Sequence, residues 1–262
     1  MKCLFATLIA LLVPFQAFGG TLTVAAAADL TYVLPELARN FEQQTGNHIR
    51  LSFGSSGNLF NQIKNGAPYD LFFSADTEYP QKLISSGDAD ANTFEIYAVG
   101  QLAVWVPKTL SVDLEHRGIE VLRDPSVQRV AIANPQHAPY GRAAVAALQH
   151  FNLYDSVASR VVLGENISQA AQFVESGNAQ AGFIALSEAL APAMQASGNY
   201  WIVPADAYPA LEQGVVIVSR SPDKNLAKQF LTYMKSAQSL VIWKRYGFLE
   251  PASAARFKEG AR

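Results

Sequence analysis

Three short apolar runs in this chain each end in a turn of small residues. They are Val24-Ala25-Ala26-Ala27-Ala28-Asp29-Leu30, Leu51-Ser52-Phe53-Gly54-Ser55-Ser56-Gly57, and Ala131-Ile132-Ala133-Asn134-Pro135 leading to Ala138-Pro139-Tyr140-Gly141. Each run reads as a strand and each turn as the start of a helix. Repeated strand–turn–helix units favour an open α/β sheet. They also aim the free N–H groups of helix starts, with small hydroxyls, at one cleft. Such a cleft suits a bare oxyanion better than a bond-breaking reaction.

With 262 residues, half of them hydrophobic and 16% charged, the chain has ample core for one large domain or two small ones. The formal net charge is −2, with no clustered Lys/Arg stripe, which argues against nucleic acid as partner. Residues 1–19 read as an export signal. Lys2 starts it, Cys3 to Val13 is almost unbroken apolar sequence, and Ala17 and Gly19 offer small residues for cleavage. About eleven apolar residues are too few to span a bilayer. The single cysteine, Cys3, lies in that segment, so the mature chain is expected to form no disulfide.

Alternation continues downstream. Thr21–Ala28 reads as a strand. The helix after it carries Val33, Leu34, Leu37, Ala38 and Phe41 on one face, with Asp29 or Thr31 as its expected cap. His48–Phe53 and Tyr69–Ser74 read as strands, with a helix from Gly54–Asn58 to Asn65-Gly66 between them. Ile96–Val106 is too long for one central strand and reads as a crossing between lobes. Further strands are expected at Val127–Ala133, Val161–Leu163, Ala181–Leu186, Tyr200–Pro204 and Gly214–Ser219. Helices are expected at Gly141–Phe151, Ser168–Glu175, Pro222–Met234 and Ser236–Tyr246. A chain that leaves near residue 100 and returns near residue 210 builds one lobe from two segments, residues 20–100 and 210–262, and the other from residues 101–209. The two lobes would face a cleft.

An unprotonated oxyanion has acceptors only, so its site must supply donors. Ser55 and Ser56 fit, with Gly54 and Gly57 letting the backbone approach closely. Tyr140, between Pro139 and Gly141, can offer its amide while its ring lines the pocket. Asn166-Ile167-Ser168-Gln169 presents another helix start. A carboxylate at Asp29 would repel an anion unless turned aside or protonated, so it is read as a cap rather than a donor. Asp70 and Asp76 read as residues that satisfy turns, and Arg142 as a solvated helix residue. None of the four histidines, His48, His116, His137 and His150, has a zincin-like i,i+4 partner. No nucleophile elbow, Walker loop or dinucleotide turn is present.

These residues carry a resemblance that runs in order through residues 21–250. It consists of Ala25–Leu30, Gly54–Gly57, Gln62-Ile63-x-x-Gly66-Ala67-Pro68-x-Asp70-Leu71-Phe72-x-Ser74-Ala75-Asp76, Tyr97-Ala98-x-Gly100-x-Leu102, Ile132-x-Asn134-Pro135 with Ala138–Gly141, Asn166–Gln169, Gly182-Phe183-x-Ala185-Leu186 and Gln213-x-Val215-x-Ile217. The chain resembles the periplasmic molybdate-binding proteins, the capture components of molybdate ABC importers. That resemblance implies an α/β, type II periplasmic-binding fold, with two lobes around a central ligand cleft joined by crossing strands. It implies no catalysis, no cofactor and no metal held by protein ligands, because molybdenum arrives inside the oxyanion. Molybdate and tungstate are the implied ligands, and a membrane permease the implied partner. Nothing in the sequence calls for an obligate oligomer, so a monomer is expected.

On this resemblance the ligand contacts fall on Ala28, Asp29, Ser56, Tyr140 and Ile167, with Gly54, Ser55, Gly57, Pro139, Gly141 and Asn166 shaping the turns. A tyrosine hydroxyl used by some members falls at Ala185 and is missing. Members often have Ser, or Thr followed by Asn, where this chain has Ala28-Asp29. Either Asp29 turns aside and only its N–H binds, or the ligand is a protonated oxyanion such as hydrogen phosphate. Another small oxyanion such as sulfate, and an exported two-lobed hydrolase, are the alternatives.

Overall fold

The apolar runs pair into two five-stranded mixed sheets. They are seen in a computed structural model that describes residues 19–251. Residues 1–18, most of the expected export signal, and residues 252–262 lie outside the described residues. The first sheet has the order β2-β1-β3-β10-β4 and the second β7-β6-β8-β5-β9. The strands are β1 (Thr21–Ala27), β2 (His48–Gly54), β3 (Leu71–Ser74), β4 (Glu95–Gly100), β5 (Leu102–Pro107), β6 (Val130–Ala133), β7 (Val161–Gly164), β8 (Ala181–Ala185), β9 (Gly198–Ile202) and β10 (Leu211–Ile217). The two sheets repeat one pattern. β1 lies parallel between β2 and β3, and β6 parallel between β7 and β8. β10 and β5 enter antiparallel.

The helices are α1 (Val33–Thr45), α2 (Ser56–Lys64), α3 (Glu78–Ser85), α4 (Leu114–Arg117), α5 (Pro139–His150), α6 (Tyr154–Val157), α7 (Ile167–Glu175), α8 (Leu186–Ala189), α9 (Pro192–Ser197), α10 (Lys224–Met234) and α11 (Ala237–Arg245). Among the described residues none is long and apolar enough to cross a membrane. α1 buries Val33, Leu34, Leu37, Ala38 and Phe41 as its periodicity requires, and Gly46 ends it at φ 71°. Phe41 meets Phe230 of α10 edge-on, with ring centroids 5.1 Å apart. α1, α10 and α11 cover one face of the first sheet, and α2 and α3 pack on the other. The second sheet has its own core, centred on Trp105, Phe183 and Ile184.

Several expectations need correction. Ile96–Val106 does carry the chain from one sheet to the other, but as two strands, β4 and β5. β4 belongs to the first sheet and β5 to the second, and the chain crosses at Gly100-Gln101. It returns between Ile202 and Leu211. Neither Asp29 nor Thr31 caps α1. The N-cap is Tyr32, without a side-chain cap bond, because a separate 3-10 turn, Ala28–Leu30, comes first. Thr31 Oγ1 instead donates to Ala28 O at 2.6 Å.

This topology fixes where a ligand can sit. In open α/β sheets the crevice lies beyond the carboxyl ends of the parallel strands. β1, β2 and β3 end at Ala27, Gly54 and Ser74, and β6, β7 and β8 at Ala133, Gly164 and Ala185. Ala27 and Gly54 at two of these ends, with Ala75 just beyond β3 and Asn166 just beyond β7, line a gap between the sheets.

Candidate functional site

A small cavity lies between the sheets, with a volume of about 10 Å³. It is lined by Ala27, Ala28, Asp29, Gly54, Ser55, Ser56, Ala75, Ala138, Pro139, Tyr140, Asn166 and Ile167. All five expected contact residues are therefore together, along with Gly54, Ser55, Pro139 and Asn166. Gly57 and Gly141 lie behind this lining. Gly57 N donates to His137 O across the gap at 2.9 Å. A Cβ at Gly57 would come within 2.7 Å of His137 Cβ, so only glycine allows this approach. Gly141 N donates to Ala138 O at 3.0 Å, within the first turn of α5.

The donors follow from how each helix starts. The first amides of a helix have no partner inside it. In α2, the Gly57 amide goes to His137 O, and the Asn58 amide to Ser55 Oγ at 3.4 Å. The Ser56 amide is left over. In α7, Asn166 Oδ1 takes the Gln169 amide at 3.0 Å, leaving the Ile167 amide. Pro139 opens α5 without an N–H, and the Gly141 and Arg142 amides bond Ala138 O. The Tyr140 amide remains. Ala28 begins the 3-10 turn, with the same result, while the Asp29 amide lies beside its own carboxylate.

Ser56 adds a hydroxyl with a defined direction. Its Oγ accepts from Ala75 N at 3.0 Å, so its own proton is left to point elsewhere. The site thus holds the hydroxyls of Ser55 and Ser56 and several helix-start amides. Among the described residues no group of three His, Cys, Asp or Glu could hold a metal ion.

Asp29 turns its carboxylate away from these donors. Oδ2 accepts from Gln213 Nε2 at 2.5 Å and from Tyr140 Oη at 3.2 Å. Tyr97 Oη donates to Gln213 Oε1 at 2.6 Å. Asp29 is fully buried, and its Oδ1 has no hydrogen-bond partner among the described residues. Burial pushes its pKa up to about 6, while the bonds from Gln213 and Tyr140 pull the other way. The expected role of Asp29 as a cap is replaced by a tie between the sheets, since Asp29 stands beside β1 and Tyr140 on α5. The same bond gives the Tyr140 ring its place, with the hydroxyl as a strut to Asp29.

Other ties join the two sides. Arg142 Nη2 meets Asp76 Oδ2 at 2.5 Å, so Arg142 is an ion-pair partner rather than a solvated helix residue. Asn58 Nδ2 donates to Glu165 Oε1. Ser187 Oγ donates to Asp29 O at 2.6 Å and Ser168 Oγ to Ala28 O at 3.0 Å. Asp70 satisfies a strand end, accepting from Thr23 N and Ser221 Oγ.

Sequence reading did not single out Ala75, Gln213, Tyr97, Ser187 or Glu188 as parts of the site. Gln213 and Tyr97 had a visible signal, as polar residues inside apolar strands. Ala75 acts through its backbone, which composition does not reveal.

Comparison with known proteins agrees with this geometry. Residues 22–249 match the family of bacterial extracellular solute-binding proteins. The molybdate-binding protein ModA of Azotobacter vinelandii is 38% identical over 225 residues, covering 86% of this chain and 88% of the relative. ModA of Rhodobacter capsulatus is 34% identical over 233 residues, covering 89% and 90%. The solved Azotobacter vinelandii periplasmic molybdate-binding protein superposes with a TM-score of 0.81 at 36% identity, over 88% of this chain and 99% of that one. With two mixed sheets facing a donor-lined cleft, and a match from Leu22 to Leu249, the chain belongs to the bacterial extracellular solute-binding protein family.

Proposed function

We propose that this chain captures molybdate, and tungstate alongside it, in the periplasm and delivers it to the membrane permease of an ABC importer. The observation that carries this reading is the convergence of helix-start amides and the Ser56 hydroxyl on one small cavity. A tetrahedral dianion matches that set, because it offers acceptors in every direction and no proton. The similarity to molybdate-binding relatives supports the choice among oxyanions.

Ser56 contributes hydroxyl and amide, and Ala28 and Asp29 contribute amides from the first lobe. Tyr140 and Ile167 complete the shell with amides from the second. The lobes are residues 20–100 with 210–262, and residues 101–209. They close about the crossings, and closure removes water and strengthens every donor contact. Helix N-termini offset the charge without a cationic side chain. Sulfate is smaller, so the same donors reach it through longer, weaker bonds. Hydrogen phosphate brings a proton that faces donors.

Proteins of this family are carriers, not enzymes. Membership of an extracellular solute-binding family supports work outside the cytoplasm, and export through residues 1–19 is part of the proposal. The carrier is proposed to act as a monomer. Calorimetric titration with molybdate, tungstate, sulfate and phosphate tests the reading. Tight one-to-one binding of the first two, unaffected by excess sulfate, is expected. Preference for phosphate would keep the fold and replace the ligand.

A further inference from the structure

Behind the oxyanion cavity lies a second carboxyl group that the capture reading does not use. Glu188, on α8 just beyond β8, is 1% exposed. Its Oε2 accepts from Ala185 N at 3.3 Å, and its Oε1 lies 2.5 Å from Ser168 Oγ. Ser168 Oγ is also 3.0 Å from the carbonyl oxygen of Ala28, on the other side of the gap.

The hydrogens at this junction can be counted. A serine hydroxyl has one proton. Ala28 O accepts only. A carboxylate also accepts only. Thr31 Oγ1 lies 3.4 Å from Ser168 Oγ, but it sits 2.6 Å from Ala28 O and spends its proton there. Ala28 O also takes the Thr31 amide at 3.0 Å; even so, the one proton on Ser168 cannot lie in both its 2.5 Å contact to Glu188 and its 3.0 Å contact to Ala28 O when Glu188 is ionised. If Glu188 carries a proton, both contacts are satisfied: Glu188 donates to Ser168, and Ser168 donates to Ala28.

The surroundings push the same way. α8 packs against β5, β8, α9, β9 and the Ala28–Leu30 turn. β5, β8 and α9 contain no ionisable residue. β9 contributes only Tyr200, which is exposed. The turn contributes Asp29, a second buried carboxyl, whose charge opposes ionisation of Glu188. Tyr32 is a further titratable neighbour whose own ionisation Glu188 opposes, and α7, which brings Ser168 to Glu188, has Glu175 as its one ionisable residue. Among the described residues no Lys, Arg or His pairs with Glu188. Burial, the largest cause, lifts the Glu188 pKa to about 8.

We propose that Glu188 is the neutral acid in the closed protein, so that closure over the oxyanion takes up a proton at Glu188. The coupling is geometric. Ser168 and Glu188 stand on the second lobe, and Ala28 and Thr31 on the first. Opening separates them and admits water, and the carboxyl returns toward its ordinary ionised state at neutral pH. The capture event is then the joint binding of a dianion and a proton, which keeps a second buried carboxylate, besides Asp29, from facing two further negative charges. A closed-state pKa above the open-state one means that affinity is greatest at low pH and falls as pH rises. The fall spans the window between the ordinary carboxyl value and about 8.

The inference rests on the capture reading above, and one experiment separates the two. The full chain is titrated with sodium molybdate at pH 7 in PIPES and in Tris, whose ionisation enthalpies differ. The heat difference counts protons exchanged. Uptake of about one proton per molybdate is expected. The Kd should weaken by about tenfold per pH unit between pH 6.5 and 7.5, above the midpoint of Asp29, then level above pH 8. In Glu188→Gln the uptake should collapse and the Kd should lose most of its pH dependence. Molybdate binding without proton uptake in the wild-type chain would overturn this inference alone. So would a Glu188→Gln protein with wild-type uptake. No binding of molybdate at any pH would overturn the capture reading and this inference together. The wild-type pH series stands even if the variant does not fold.

Discussion

Replacing Ser56 by alanine removes a hydroxyl with two jobs. Its oxygen accepts from Ala75 N at 3.0 Å, and its proton is left for the ligand. Ser56 is 1% exposed, so no water readily replaces either contact. A hydrogen bond to a charged acceptor contributes about 1.5–3 kcal/mol. With tenfold in Kd per roughly 1.4 kcal/mol, molybdate affinity should weaken by about 10- to 150-fold. The stranded Ala75 amide should also cost about 1–3 kcal/mol of stability, read as a lower midpoint of ligand-free thermal unfolding. Calorimetry on Ser56→Ala beside Ser55→Ala separates site from fold. Ser55 only caps α2, through a long 3.4 Å contact, so its loss should cost about 0.5 kcal/mol of stability and leave Kd within a few-fold. Binding by Ser56→Ala within twofold of wild type would refute the reasoning. Equal losses in both variants would also refute it, because the effect would then belong to the helix start.

Three other perturbations probe separate links. Gly100→Ala puts a Cβ 2.2 Å from Tyr140 Oη and 2.6 Å from Gln213 Nε2; it should split the Asp29 tie and weaken molybdate binding more than tenfold by calorimetry. Asp29→Asn keeps an acceptor for Gln213 and Tyr140 but removes a buried charge. An acid whose folded pKa is raised, here to about 6 from 3.8, destabilises the fold fully above pH 6, and the penalty fades as pH falls toward 3.8. The variant should therefore unfold at higher urea than wild type at pH 7, by roughly 3 kcal/mol at most, with the difference shrinking by pH 4.5, and it should bind molybdate more tightly at pH 7. Phe41→Ala opens a cavity against Phe230 and should cost about 3–5 kcal/mol in urea unfolding, while the folded fraction still binds.

Much of this fold is written in local pattern. The apolar stripe of α1 and the runs that became β1, β2 and β6 are legible because each is amphipathic or fully buried at a regular period. Local pattern points to Ser55 and Ser56 as donors, since small residues after a strand leave helix-start amides bare, while the full set of proposed contacts rests on the family resemblance. Long-range partners are not legible in this way. Asp29 looks like a cap because Asp caps helices often. Only the fold brings Gln213, 184 positions away, to its carboxylate. Arg142 looks solvated on α5 until β3 delivers Asp76 to it. Glu188 sits in the run Ala185-Leu186-Ser187-Glu188-Ala189, where its depth depends on five packed elements rather than on its neighbours in sequence. Within Ile96–Val106, hydropathy is continuous across Gly100, and only pairing reveals that two sheets share it.

The most direct measurement of oxyanion capture is a crystal of the signal-free protein grown with molybdate, with anomalous data collected at the molybdenum edge. Capture by these donors predicts one strong peak in the cavity bounded by Ala28, Ser56, Tyr140 and Ile167, with Ser56 Oγ at hydrogen-bond distance and the Asp29 carboxylate still turned to Gln213. A peak elsewhere, or a cavity that stays empty in a molybdate-saturated crystal, would contradict it.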